Sequence, residues 1–266
     1  MFMRSTMLWL VMLLAVGTSG AVAQAKLEIE GGETYNWGAV KPPADGNLDA
    51  VIKLKNVGDK PLKLTEIKPG CGCTKTDPDK MELLPGEVST MPVKLNISPA
   101  QSGPVTKSIT VRWGDADGIK ARDEFRKRGG DVAANLDTNE KVAFIFLKAD
   151  IQRAIVMTPS IYLSFQDLEV GKQAETKIQI KNNSDQEIVF SNWAADNDLA
   201  INVSGTKKLA PKESMELVAT LIPGLKGQYS ALVSAKTNHP DYPTLEVRAY
   251  GFVKESSSPV FQKSAK

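Results

Sequence analysis

Cys71 and Cys73 flank Gly72, and they are the only cysteines among the 266 residues. At this spacing four chemistries are open. The pair can close a disulfide around a single residue, a strained ring that would be labile to reduction. Gly72 favours such a ring, because glycine adopts backbone angles that other residues resist. Two thiolates can instead hold copper or zinc, with further ligands from elsewhere. They can exchange with other thiols, and Lys68 and Lys75 are near enough in sequence to lower a thiol pKa by charge. Or they can stay reduced and passive. The plainest of the four is a structural disulfide pinning a tight loop. No Cys-x-x-Cys motif is present, so the usual thioredoxin-like arrangement is absent.

Other chemistry is sparse. His239 is the single histidine and lies in a turn between Asn238 and Pro240, which argues against a Ser-His-Asp triad or a multi-histidine zinc site. Asp45, Asp49, Asp77 and Asp79 are acids near turns, where acids are ordinary. No catalytic residue is expected, and the chain reads as non-enzymatic. A formal net charge of +2, with lysines mixed among acids, gives no basic face for nucleic acid.

The elements that would position the cysteines read as β-strands. Asp49 to Leu54 and Leu62 to Ile67 alternate apolar and polar residues, with Asn56 and Gly58 forming the turn between them. Pro85 and Gly86 mark a second turn, and Val88 to Leu95 forms a strand broken or edged by Pro92. Lys107 to Trp113 alternates again. Val142 to Leu147 is continuously apolar and reads as a buried strand. Trp37, Trp113, Phe144, Phe146, Phe165 and Phe190 are expected in the cores, and Trp193 outside them.

The chain repeats itself. A shift of 126 residues lays Lys55–Leu62 over Lys181–Ile188, and Leu84–Glu87 over Ala210–Glu213. Tyr35–Gly38 matches Leu163–Gln166, and Ser102–Pro104 matches Lys226–Gln228, each with two residues of slippage. Four landmarks in one order indicate two copies of one domain. Six or seven short strands per copy predict an all-β protein of two tandem immunoglobulin-like antiparallel sandwiches. Residues 114–140 have no equivalent in the second copy and read as a charged, partly helical insertion. Its Asp115, Arg122, Arg126 and Arg128 are candidates for partner binding.

The predicted layout is a signal peptide over 1–25, a first domain over 26–150, a second over 151–254 and a disordered tail over 255–266. Met7 to Val16 is apolar but too short to span a bilayer. The Ala21-Val22-Ala23 and Ala23-Gln24-Ala25 sites place cleavage after Ala23 or Ala25. No later run reaches spanning length, so the mature protein is expected to be periplasmic or extracellular with no transmembrane segment.

Several of these residues together resemble a known family. They are Trp37-Gly38-x-Val40, Leu54-x-Asn56-x-Gly58-x-x-Pro61-Leu62, Ile67-x-x-x-Cys71-Gly72-Cys73-Thr74 and Leu84-Pro85-Gly86-Glu87. The pattern is similar to an uncharacterised family of exported bacterial immunoglobulin-like domains carrying a Cys-Gly-Cys-Thr signature. That family is in turn distantly similar to the modules of motile sperm protein and of cilia-associated proteins. The match is good over 33–112 and weaker over 161–253, where Asn197 and Leu199 stand at the cysteine positions. The resemblance implies fold and compartment, and carries no enzymatic activity with it. The leading expectation is a non-enzymatic exported protein without a cofactor that binds another protein or an envelope component. The alternative is a metal- or thiol-handling protein using Cys71 and Cys73.

Overall fold

A computed structural model describes residues 23–43, 45–129 and 138–255. The predicted signal peptide lies outside the described residues except for its last three positions. So do residues 130–137 of the insertion and the tail from residue 256.

The first half is built from nine strands and one helix. These are β1 (Leu27–Ile29), β2 (Thr34–Val40), β3 (Asn47–Asn56), β4 (Leu62–Pro69), β5 (Thr74–Thr76), β6 (Glu82–Leu83), β7 (Val88–Asn96), β8 (Gly103–Asp115), α1 (Ala116–Lys127) and β9 (Lys141–Ile151). One sheet runs β1-β3-β7-β5 and the other β2-β9-β8-β4-β6. The second half follows with β10 (Ile155–Thr158), β11 (Tyr162–Ser164), β12 (Leu168–Glu169), β13 (Ala174–Asn182), β14 (Ile188–Ala195), β15 (Ala200–Ile201), β16 (Lys207–Leu209), β17 (Ser214–Leu221), β18 (Gly227–Thr237) and β19 (Thr244–Lys254). Its sheets run β10-β13-β17-β15 and β11-β19-β18-β14-β16. The order is the same in both halves, with β2 and its counterpart β11 each parallel to the last long strand of its half. Two sandwiches with one topology are what the repeat demands.

Period-two alternation builds the cores. In β3, Leu48, Ala50, Ile52 and Leu54 face inward, while Asp49, Val51 and Lys53 do not. Ala50, Ile52 and Leu54 meet inward residues of the opposite sheet such as Leu62, Leu64, Ile109 and Val111, while Leu48 packs in a smaller cluster with Leu95, Val105 and Ile151. The second sandwich closes on Ile178, Ile180, Phe190, Leu217, Val233 and Val247 in the same way. Each fully buried Leu or Ile contributes about 1.5–3 kcal/mol of transfer free energy.

Both copies turn at a buried asparagine. The Asn56 side-chain amide donates to the carbonyls of Lys60 (2.8 Å) and Leu83 (3.0 Å), and its Oδ1 accepts from the Gly58 amide. Asn182 donates to Gln186 (2.7 Å) and Leu209 (2.9 Å), and accepts from the Ser184 amide. Every partner is displaced by the same 126 residues. The Asn56 carbonyl also accepts from Gly86, and that of Asn182 from Lys212, the residues at those two positions both having positive φ. Gly58 has a separate reason, since a Cβ there would lie 2.2 Å from the Gln24 carbonyl oxygen.

Several expectations need correction. β7 runs unbroken through Pro92 and lies inside its sheet, between β3 and β5. Thr90 and Asn96 send their amides away from β3, to Asp79 and Cys73 respectively. Pro92 has the same parity, so its missing N–H costs no bond to β3. Phe144 and Phe146 are not core residues. β9 alternates, so Ile145 and Leu147 are buried while Phe144 and Phe146 face outward. Trp193 is half-buried in β14 and stacks on Phe190 at 5.8 Å.

The insertion starts later than residue 114. Gly114 and Asp115 close β8, and a Cβ on Gly114 would meet the Thr138 carbonyl at 2.4 Å. The helix α1 then buries Ala116 and Ile119 against the sandwich. Phe125 is 37% exposed, so Ile119 is the helix's one large buried apolar side chain.

Along the chain the halves are joined by Gln152–Ala154, between β9 and β10. Gln152 donates its amide to Val40, and the Arg153 guanidinium donates to the carbonyls of Gln101 (2.8 Å) and Ser98 (3.1 Å). The Asn183 amide donates to Ala154 at 2.7 Å. Each linker residue is thus bonded to a sandwich, and Arg153 to both, since its carbonyl also accepts from the Asn183 side chain at 3.3 Å.

Candidate functional site

β4 ends at Pro69, and the chain reverses through Gly70–Cys73 into β5. Cys71 and Cys73 are joined by a disulfide, with their Cα atoms 5.2 Å apart. The Thr74 amide donates to the Cys71 carbonyl across the turn, and the Asn96 amide donates to the Cys73 carbonyl at 2.8 Å. Gly70 is required by space, because a Cβ there would stand 2.9 Å from the Ser108 hydroxyl. Gly72 is not. Its φ is not positive, and a Cβ there would touch nothing within 4 Å. The backbone freedom expected to need glycine at that position is unused.

The two sulfurs have different surroundings. Cys73 packs against the apolar cluster that contains Leu95, Val105 and Ile151. Cys71 lines a cleft of about 240 Å³ with Gly70, Thr106, Lys107, Ser108 and Phe146. The buried Thr74 hydroxyl lies 3.5 Å from Cys71 Sγ and 4.0 Å from Cys73 Sγ. In the disulfide form neither sulfur is a thiolate, so neither can ligate copper or zinc. Among the described residues no group of three or more His, Cys, Asp or Glu side chains is placed to hold a metal ion.

Sequence reasoning missed the face beside this cleft. On the outward side of β9, Val142, Phe144 and Phe146 are 44%, 48% and 37% exposed. Across the sheet Phe144 aligns with Thr110 and Lys68, and Phe146 with Ser108. The signal lay in the uninterrupted apolar run Val142–Leu147, because a strand of a two-layer sandwich needs apolar residues on one face only.

The insertion candidates divide. Asp115 is buried, its Oδ1 accepting from the Ala25 amide and its Oδ2 from the Asn139 side chain, both at 2.7 Å. It is a structural clamp and offers no surface to a partner. The Arg122 side chain is 16% exposed and pairs with Glu140 and Asp123. Arg126 and Arg128 are exposed at the end of α1. The turn acids do not converge. Asp79 accepts from the Thr90 amide and the Ser89 hydroxyl, and these bonds hold its carboxyl below the usual range. Asp45 is lowered by its bonds from Asn47, and Asp49 pairs with Lys94. His239 lines a wider cleft of about 840 Å³ between the sandwiches, where Lys41 bridges to Asp241 at 2.7 Å. The His239 Nδ1 accepts from the Asp241 amide.

Residues 28–121 match a family model described as Protein of unknown function (DUF1573), and this stretch forms a DUF1573-like domain running from β1 into α1. No curated protein matches the chain. Among solved structures it is similar to a protein of unknown function from Porphyromonas gingivalis W83, at 14% identity, covering 85% of this chain and 99% of that one, with a TM-score of 0.34. The periplasmic chaperone SfaE is 13% identical, with 86% and 100% covered and a TM-score of 0.31. SSP-19, an MSP-domain protein like family member in Caenorhabditis elegans, is 14% identical, with 36% and 97% covered and a TM-score of 0.28.

Proposed function

We propose that this is an exported, non-enzymatic protein that binds another protein through the outward face of β9 in its first sandwich. The observation that carries this reading is the row Val142, Phe144 and Phe146. Large apolar side chains at alternate positions contribute nothing to the core and cost solubility, and such patches mark interaction surfaces. Among the described residues no helix is long and apolar enough to cross a membrane. The test replaces all three with serine in the mature chain. The unfolding free energy should change by no more than about 1.5 kcal/mol, three exposed positions at about 0.5 kcal/mol each. Partners retained from envelope extract by the immobilised wild-type protein should be lost. Equal recovery by both proteins would exclude this face.

The geometry bears on where an exported chain would be cut. The Gln24 amide donates to the Asp59 carboxylate and the Ala25 amide to the buried Asp115, each at 2.7 Å. Cleavage after Ala25 would delete both donors and leave a buried carboxylate short of a partner. Cleavage after Ala23 keeps them and sets the new α-ammonium on Asp59. Intact-mass measurement of exported protein should therefore read Gln24 as the first residue, and Lys26 in that place would refute the assignment.

A further inference from the structure

We propose that the Cys71–Cys73 disulfide exchanges with a dithiol on a protein partner, oxidising it stoichiometrically. Three observations lead there. First, the bond does little for the fold. It closes the shortest of loops, where cross-linking saves the least chain entropy, and the second sandwich makes the equivalent turn at Asn197–Leu199 with no disulfide. Second, the sulfurs are unequal. Cys71 borders an open cleft, whereas Cys73 packs on the core cluster, so an incoming thiolate reaches Cys71. Third, the cleft is equipped for thiolate. Lys107 lines it half-buried, at an inward-facing register of β8 opposite Leu147, and has no ion-pair partner among the described residues. A cation among the residues lining the cleft favours the ionised form of a sulfur exposed there. The Thr74 hydroxyl is within reach of both sulfurs and can donate to either.

The exchange balances in two steps. A partner thiolate attacks Cys71 Sγ, the Cys71–Cys73 bond breaks, and Cys73 leaves as thiolate and takes up a proton. The partner's second thiolate then attacks its own sulfur in the mixed disulfide and expels Cys71, whose thiolate Lys107 and Thr74 stabilise. The partner's dithiol has lost two electrons and the Cys71–Cys73 pair has gained them. This goes beyond the partner-binding reading and does not rest on it, since the reaction can be read with a small peptide that carries no partner surface.

Oxidised mature protein is mixed under native conditions with an equimolar synthetic Cys-x-x-Cys dithiol peptide, quenched in acid, alkylated and analysed by mass spectrometry. The expected result is loss of peptide thiols matched mole for mole by alkylation of Cys71 and Cys73, with an unchanged far-ultraviolet spectrum. A single-cysteine peptide should be caught on Cys71. The Lys107→Gln variant should react several-fold more slowly across the pH range, with the shape of the profile unchanged because the attacking thiolate is the peptide's. If the pair stays oxidised in about a hundredfold excess of dithiol until the sandwich melts, the disulfide is a staple and the proposal fails. Capture on Cys73 would overturn the choice of attacked sulfur, and an unchanged rate in Lys107→Gln would overturn the role of the lysine.

Discussion

The two sandwiches solve the same turn in different ways. Between β4 and β5 the first uses a covalent ring, Cys71–Gly72–Cys73, with the Cys73 side chain against the core. Between β14 and β15 the second uses Asn197 and Asp198, both in the left-handed region, followed by Leu199. The Asn197 side chain donates to the Ser230 carbonyl at 2.7 Å, and the Tyr229 hydroxyl donates to the Asn197 carbonyl at 2.9 Å. Leu199 is buried where the first sandwich places Cys73. Two hydrogen bonds and one leucine replace a disulfide, so the turn itself does not call for sulfur. What distinguishes the first copy is the cleft that Cys71 shares with Lys107 and Phe146; exposed aromatics occur in both copies, Phe144 and Phe146 on β9 and Tyr250 and Phe252 on its counterpart β19.

That comparison predicts an unequal response to truncation, and this is the largest effect expected. Leu199→Ala removes a buried leucine and should cost the second sandwich about 2–5 kcal/mol. Cys71→Ala with Cys73→Ala removes a three-residue loop closure, worth about 1.5 kcal/mol on chain-entropy grounds. Calorimetry of the mature chain measures both, with a Trp37→Phe, Trp113→Phe background leaving Trp193 as the fluorophore that assigns the second sandwich. A larger loss from the cysteine pair than from Leu199 would break the comparison and make the disulfide a structural element of its domain.

What the sequence revealed tracks the range of the interactions involved. The turns at Asn56 and Asn182 were legible because an asparagine bonding the backbone two and four residues onward is a local rule written in residue types. The duplication was legible for the same reason. Asp115 was not, because its donors lie 90 and 24 residues away and only the closed sandwich brings them together. The outward aromatics were hidden by a run apolar on both faces, which alternation cannot orient. Lys107 did leave a trace. It interrupts the inward series Val105, Ile109 and Val111 of β8, and a charge in that register marks either an error of register or a site. Cys71 was found by type alone, and its asymmetry with Cys73 needed the fold.

The smallest predicted effect separates the sandwiches by pH. In the first, hydrogen bonds from Thr90 and Ser89 hold Asp79 below the usual carboxylate value, and the Lys80 ammonium and Leu84 amide do the same for Glu87. A depressed carboxyl contributes stability that is complete above its unfolded pKa of about 4 and is lost as pH falls through the folded value. In the second, burial and then the charges of Asp196 and Asp198 raise the Tyr229 hydroxyl. Its contribution is complete below the unfolded value of about 10 and is lost as pH rises through the folded one. Acid should therefore loosen the tie between β7 and the loop after β5, while alkali should loosen the Asn197 turn. Asp79→Asn should flatten the acid limb of the first transition and leave the alkaline limb of the second unchanged, and Tyr229→Phe should do the converse. If both substitutions alter one and the same transition, the sandwiches do not melt as separate units. The turn chemistry of each copy would then have to be read from the stability of the whole chain.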